Sequence, residues 1–221
     1  MSIKNKLIVA LDVDTLIKAK YFINALYPQV TIFKIGSQLF TAEGPRAVSL
    51  VRRKGAEVFL DLKYFDIPNT VAQAVRQAVR LGVKMLTLHI TGGEEMIRAA
   101  VSAARDEAQK QKVKKTLLIG VTVLTSQKTS KDGVLSLARK GISWGLDGVV
   151  CSAQEVSLLR RKIKSPYIII TPGIRPQNAE TGDQKRVATA EEAVKAGSDY
   201  LVVGRPVLEA RDPRKAVEQL G

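Results

Sequence analysis

Short β-rich runs alternate with helical patterns from one end of the chain to the other, and this alternation constrains the fold more than any other feature. Strand-like runs lie at 7–11, 32–35, 57–63, 85–90, 116–124, 148–151, 167–170 and 200–203. Helical periodicity fills most of the intervals. The first helix runs from a cap at Asp14 to about Tyr27, with Leu16, Ala19, Phe22, Ile23 and Leu26 on one face. Others run from Ser37 to Lys54, Pro68 to near Gly82, Gly93 to about Gln109 and Lys131 to Lys140. A short one starts at Ala153, and a last one runs from Pro206 to about Gln219.

Strands rich in Val, Ile and Leu, separated by helices, predict a parallel sheet covered by helices. Eight such units favour an α/β fold of one kind, a closed (β/α)8 TIM barrel, although 221 residues is a little short for it. An open doubly wound sheet is the alternative. No GxGxxG or GxxxxGK[ST] follows any strand, which weakens the nucleotide-binding versions of that sheet. Without a linker or low-complexity stretch, residues 1–221 read as a single domain.

The composition excludes several classes. No apolar run approaches the ~18 residues of a membrane span, so no membrane partner is expected. The opening MSIKNKLIVALDVD lacks a signal peptide's apolar region and cleavage site. The one cysteine, Cys151 in the strand-like GVVCS, reads as a core thiol and suits a reducing cytoplasmic location. The net charge of +14 calls for an anionic partner or a solvated basic surface. The basic residues are spread along helices, and the five Phe, five Tyr and one Trp do not interleave with them. Stacking platforms for nucleic acid are therefore not expected.

The segment EVFLDLKYFDIPNT, 57–70, concentrates the chemistry. Strand alternation puts Asp61 and Lys63 on one face, embedded in apolar neighbours. Charges there are costly unless paired or used. Asp66 follows, and Pro68 opens a helix. An interior ion couple, with Asp66 as a helix cap, is the plain alternative. The strand ends add Asp12, Lys34, His89, Thr125, Ser126, Gly173, Arg175, Gly204 and Arg205, which a barrel would gather on one rim. Lys34, inside the apolar IFKIG, extends Asp61 and Lys63 into an array of ammonium, carboxylate and ammonium. TPGIR and VGRP follow strands seven and eight, where barrels often bind phosphate; glycines let backbone N–H groups approach, and Arg175 and Arg205 supply forked donors. The polar RPQNAETGDQKRV, 175–187, has no helix period and reads as a mobile lid. No metal-binding set of His, Cys and carboxylates stands out.

Together LDVD (11–14), FKIG (33–36), DLKYFDIPNT (61–70), TPGIRP (171–176), GDQKR (182–186) and VGRP (203–206) resemble the orotidine 5′-phosphate decarboxylase family, from strand one to strand eight. DxKxxDIPNT is the specific motif; VGR alone is weak. The resemblance implies decarboxylation of orotidylate to UMP without a cofactor or metal. It implies a charged tetrad of Lys34, Asp61, Lys63 and Asp66, with Lys63 as proton donor. It implies a homodimer in which Asp66 and Thr70 reach the neighbouring subunit's site. Asp12 and Lys34 match contacts to the ribose hydroxyls, and Thr125 a contact near the base. Arg175, Gln184, Gly204 and Arg205 match the phosphate grip, with Gln184 on the lid. HITGG at 89–93 departs from the Ala and small residue that many bacterial members carry after the His, and His89 is read as structural. Related barrel enzymes acting on sugar phosphates share DxKxxD but use Mg²⁺ and carry an acidic residue where Lys34 stands. A catalytically dead barrel that binds nucleic acid is the remaining alternative.

Overall fold

A computed structural model describes residues 3–123, 130–176 and 188–220. Its eight strands close into one parallel barrel in sequence order. They are β1 (Leu7–Ala10), β2 (Ile32–Gly36), β3 (Glu57–Tyr64), β4 (Met85–His89), β5 (Leu117–Val121), β6 (Gly148–Val150), β7 (Ile168–Thr171) and β8 (Tyr200–Val203). The last strand pairs with the first, Val9 lying beside Val203. The open doubly wound sheet is therefore excluded.

Alternation along the strands separates two cores. Ile8, Ala10, Ile32, Phe59, Met85, Ile119, Ile170 and Val202 fill the barrel interior. Their neighbours Leu7, Val9, Phe33, Val58, Leu60 and Leu86 face outward and join the larger core beneath the helices. The period then fixes what stands at the carboxyl ends. Asp12 follows Ala10, Lys34 follows Ile32, Asp61 follows Phe59 and Thr87 follows Met85, each two residues along and on the interior side.

The helices are α1 (Leu16–Leu26), α2 (Ser37–Glu43), α3 (Pro45–Arg53), α4 (Pro68–Leu81), α5 (Gly93–Gln111), α6 (Lys131–Ser143), α7 (Ala153–Lys162), α8 (Ala190–Ala196), α9 (Arg205–Leu208) and α10 (Pro213–Glu218). Several boundaries differ from the sequence expectation. Thr15, not Asp14, caps α1, because its hydroxyl accepts from the Lys18 N–H. The expected helix over 37–54 divides at Gly44–Pro45, since proline has no N–H to continue the ladder and sits instead at the start of α3. The expected last helix likewise divides, and the Asp212 carboxylate caps a fresh start at Pro213. α8 was not expected; Thr189 and Glu192 build a capping box at its start. β4 ends at His89 and β5 at Val121, short of their expected ends.

Candidate active site

The carboxyl ends of the strands surround a cavity of about 520 Å³. Asp12, Lys34, Asp61, Lys63, Gly173, Arg175, Gly204 and Arg205 all line it, as does Glu209, which the sequence did not single out. Strands from opposite sides of the barrel thus supply one rim.

On the β1–β4 side the charges form a continuous chain. Lys34 Nζ lies 3.1 Å from Asp12 Oδ1 and 3.4 Å from Asp61 Oδ2. Lys63 Nζ lies 2.9 Å from the same Asp61 oxygen. The array therefore has four members rather than three, alternating in sign from Asp12 to Lys63. Burial opposes the Asp61 charge, but Lys34 and Lys63 outweigh it and hold the carboxyl below its ordinary range. Burial likewise opposes the charge on Lys34, and Asp61 with Asp12 raises its pKa above an ordinary lysine's. Gly36 makes room for this pairing. A Cβ there would stand 3.0 Å from Lys34 Nζ and 3.2 Å from Asp12 Oδ1. The Lys34 and Asp61 side chains are 12% and 13% exposed, whereas Lys63 is 36% exposed. Lys63 is thus the cation of this pair of lysines most open to a ligand.

Lys63 reaches the cavity by a route that simple alternation does not describe. Leu60 pairs with Leu86 and Tyr64 with Leu88, so Asp61, Leu62 and Lys63 together face the single residue Thr87. This is a bulge, and Lys63 takes a left-handed backbone with φ of 52°. The fully buried Thr87 closes it. Its hydroxyl accepts from the Lys63 N–H at 2.9 Å and donates to Asp61 Oδ1 at 3.0 Å.

The β7–β8 side is built differently. Gly173 has a φ of 80°, open to glycine and strained for other residues. Arg175 is buried and donates to the Ile174 carbonyl at 3.4 Å. Burial and then the neighbouring Arg205 push its pKa down, while Glu209 opposes them. Two guanidinium groups close enough to repel each other form a ready seat for an anion.

Asp66 and Thr70 do not line the cavity of their own chain. Both are exposed, on the loop before α4 and on its first turn. Asp66 does not cap α4 in the expected alternative sense; the N-cap is Ile67, and Asp66 Oδ1 accepts from the Ile67 N–H at 2.7 Å. Its neighbours Phe65 and Ile67 are 61% and 66% exposed. His89 meets the Phe65 ring edge-on at 5.9 Å, and burial, then Lys63, lowers its pKa. Burial raises the pKa of Cys151, which keeps the thiol protonated. Thr125, Gln184 and most of the expected lid, 177–187, lie outside the described residues. Among the described residues no three His, Cys, Asp or Glu side chains form a group that could hold a metal ion, and no helix is long and apolar enough to cross a membrane.

Comparison with known proteins gives the same assignment by sequence and by shape. Residues 5–220 match the profile of the orotidine 5′-phosphate decarboxylase / HUMPS family. The orotidine 5′-phosphate decarboxylase of Coxiella burnetii is 47% identical, over 97% of this chain and 94% of its own. That of Trichlorobacter lovleyi is also 47% identical, over 97% and 93%. The crystal structure of the Lactobacillus acidophilus enzyme superposes with a TM-score of 0.85 at 33% identity, covering 98% of this chain and 97% of that one.

Proposed function

The chain belongs to the orotidine 5′-phosphate decarboxylase / HUMPS family and is a carboxy-lyase of pyrimidine biosynthesis acting on orotidine 5′-monophosphate; we propose that it works without a cofactor, its Lys34–Asp61–Lys63 array stabilising a C6 carbanion that Lys63 protonates. The observation that carries this reading is Asp61 Oδ2, held by two lysines inside a cavity whose far end carries two arginines.

Loss of CO2 from C6 leaves an electron pair in the ring plane with little resonance support. A fixed ammonium ~4 Å away contributes roughly 4 kcal/mol at an effective dielectric near 20. Enzymic accelerations need ~8–23 kcal/mol, so Lys63 cannot act alone. The rest comes from charges set in place before substrate binds and from binding energy at the distant phosphate. Asp12 and Lys34 would bind the ribose hydroxyls, and Arg175, Gly204 and Arg205 the phosphate, with Thr125 and Gln184 completing base and phosphate contacts. Asp61 would lie against the substrate carboxylate while orienting Lys63. The metal-dependent relatives carry an acidic residue where this chain has Lys34, and here Lys34 is itself bound to two carboxylates.

The test is the fall in orotidylate absorbance on mixing with protein stripped by EDTA. Full activity is expected; activity that vanishes and returns with Mg²⁺ would overturn the cofactor-free reading. The same proposal includes a cytoplasmic homodimer in which Asp66 and Thr70 enter the partner's cavity. Its support is the exposed Asp66 set between two exposed apolar side chains. Mixing inactive Lys63→Ala and Asp66→Ala proteins, with subunit exchange, should restore about a quarter of wild-type activity, since half the dimers would own one intact site. No recovery would place Asp66 outside a shared site.

A further inference from the structure

Three residues of β3 face one residue of β4, and that residue is a threonine with no access to solvent. The bulge removes the Lys63 N–H from the regular ladder, and a buried N–H needs an acceptor. The Thr87 hydroxyl provides it at 2.9 Å. A hydroxyl carries one hydrogen, and here its direction is forced. Since the amide can only donate, the Thr87 hydrogen points to Asp61 Oδ1, 3.0 Å away. One carboxylate oxygen is then committed to Thr87. The other, Oδ2, faces both Lys34 and Lys63. Thr87 is β-branched, so its own side chain has few orientations to choose from.

We infer that Thr87 is a positioning residue: its hydroxyl ties the Lys63 backbone to Asp61 and thereby fixes which Asp61 oxygen the two lysines share. The inference rests on the function proposed for this site and deepens it. Thr87 acts through Asp61 and Lys63. Without the hydroxyl, the Asp61 carboxylate is free to turn and the left-handed Lys63 loses its tether, so the ammonium shifts relative to C6. A misplacement of about 1 Å can cost ~10²-fold in rate.

The test compares Thr87→Val, which keeps the shape and loses the hydroxyl, with Thr87→Ser, which keeps the hydroxyl. Expected for Thr87→Val is a kcat lower by ~10- to 100-fold with KM within about threefold of wild type. Thr87→Ser should recover kcat to within about threefold. A Thr87→Val enzyme with wild-type kcat, or one changed only in KM, overturns the inference. So does a Thr87→Ser enzyme as slow as Thr87→Val, because lost packing would then be the cause. If valine prevents folding, Thr87→Cys carries the same test, its thiol being a weaker partner: a lowered kcat supports the inference and a wild-type kcat overturns it. A crystal structure of the variant decides independently of turnover. Asp61 rotated, with Lys63 Nζ no longer on Oδ2, supports the role, and an unchanged triad overturns it. Absence of turnover in the wild-type protein would sink the proposed function while leaving this structural arm intact.

Discussion

The two ends of the cavity solve the problem of buried charge in opposite ways. At the β1–β4 end, Asp12 and Asp61 balance Lys34 and Lys63, and each contact in the chain is 3.4 Å or less. At the β7–β8 end, Arg175 and Arg205 line the same cavity as Glu209, and the two guanidinium groups act on each other as like charges. The first arrangement is electrically complete before a ligand arrives, and its geometry is set by protein–protein hydrogen bonds. The second sets like charges beside each other, an arrangement that favours an anion between them. Preorganisation belongs where charge develops during reaction, and neighbouring like charges belong where binding energy is collected.

Substitutions should separate the two ends. The largest effect is expected for Lys63→Ala. Turnover should fall by ~10³-fold or more, as the loss of roughly 4 kcal/mol of stabilisation implies. Calorimetric affinity for UMP should stay close to wild type; appreciable turnover would remove Lys63 from the chemistry. Arg205→Ala should act chiefly through binding. A lost charge-assisted contact of ~1.5–3 kcal/mol predicts kcat/KM lower by ~10- to 150-fold. The handicap should vanish with the nucleoside orotidine, which has no phosphate to grip. An equal loss on both substrates would place Arg205 in the reactive end and break the comparison.

The smallest effect concerns pH. Asp61 is held below its ordinary value of 3.8, so it binds a proton less readily in the folded protein than in the unfolded chain. Its contribution to stability is present above the unfolded value and is lost as pH falls through the folded one. The acid limb of kcat/KM, which reports the free enzyme, should therefore lie below the ordinary value of 3.8 as far as Asp61 sets it, measured with the nucleoside orotidine so that no phosphate titrates. His89, lowered from 6.5, is neutral at pH 7. An acid limb above about pH 5 that His89→Asn abolishes would instead bring the histidine into the reaction.

Much of the β1–β4 end was legible in the sequence because Lys34 and Asp61 interrupt apolar strands, where a charge must be paired. The bulge was not legible. EVFLDLKY reads as unbroken alternation, which gives the right face for Lys63 by the wrong route, since two extra residues and a positive φ bring it there. Thr87 gave no signal, because threonine in a buried strand is ordinary. Glu209 lies in a polar stretch where nothing distinguishes it from a solvated carboxylate. The missed α8 did have a signal, a threonine followed three residues later by glutamate, but the polar run before it drew attention to a loop.

Closure of β8 onto β1 has a consequence for how the protein is made. Asp12, Lys34, Asp61, Lys63 and Thr87 are all synthesised before β5, whereas Gly173, Arg175, Gly204, Arg205 and Glu209 come from the last stretch synthesised. A nascent chain therefore carries the alternating charge array well before the residues proposed to grip the phosphate. Pairing of β1 with β8, Leu7 to Val9 beside Leu201 to Val203, closes the barrel and brings these separately translated stretches onto one rim.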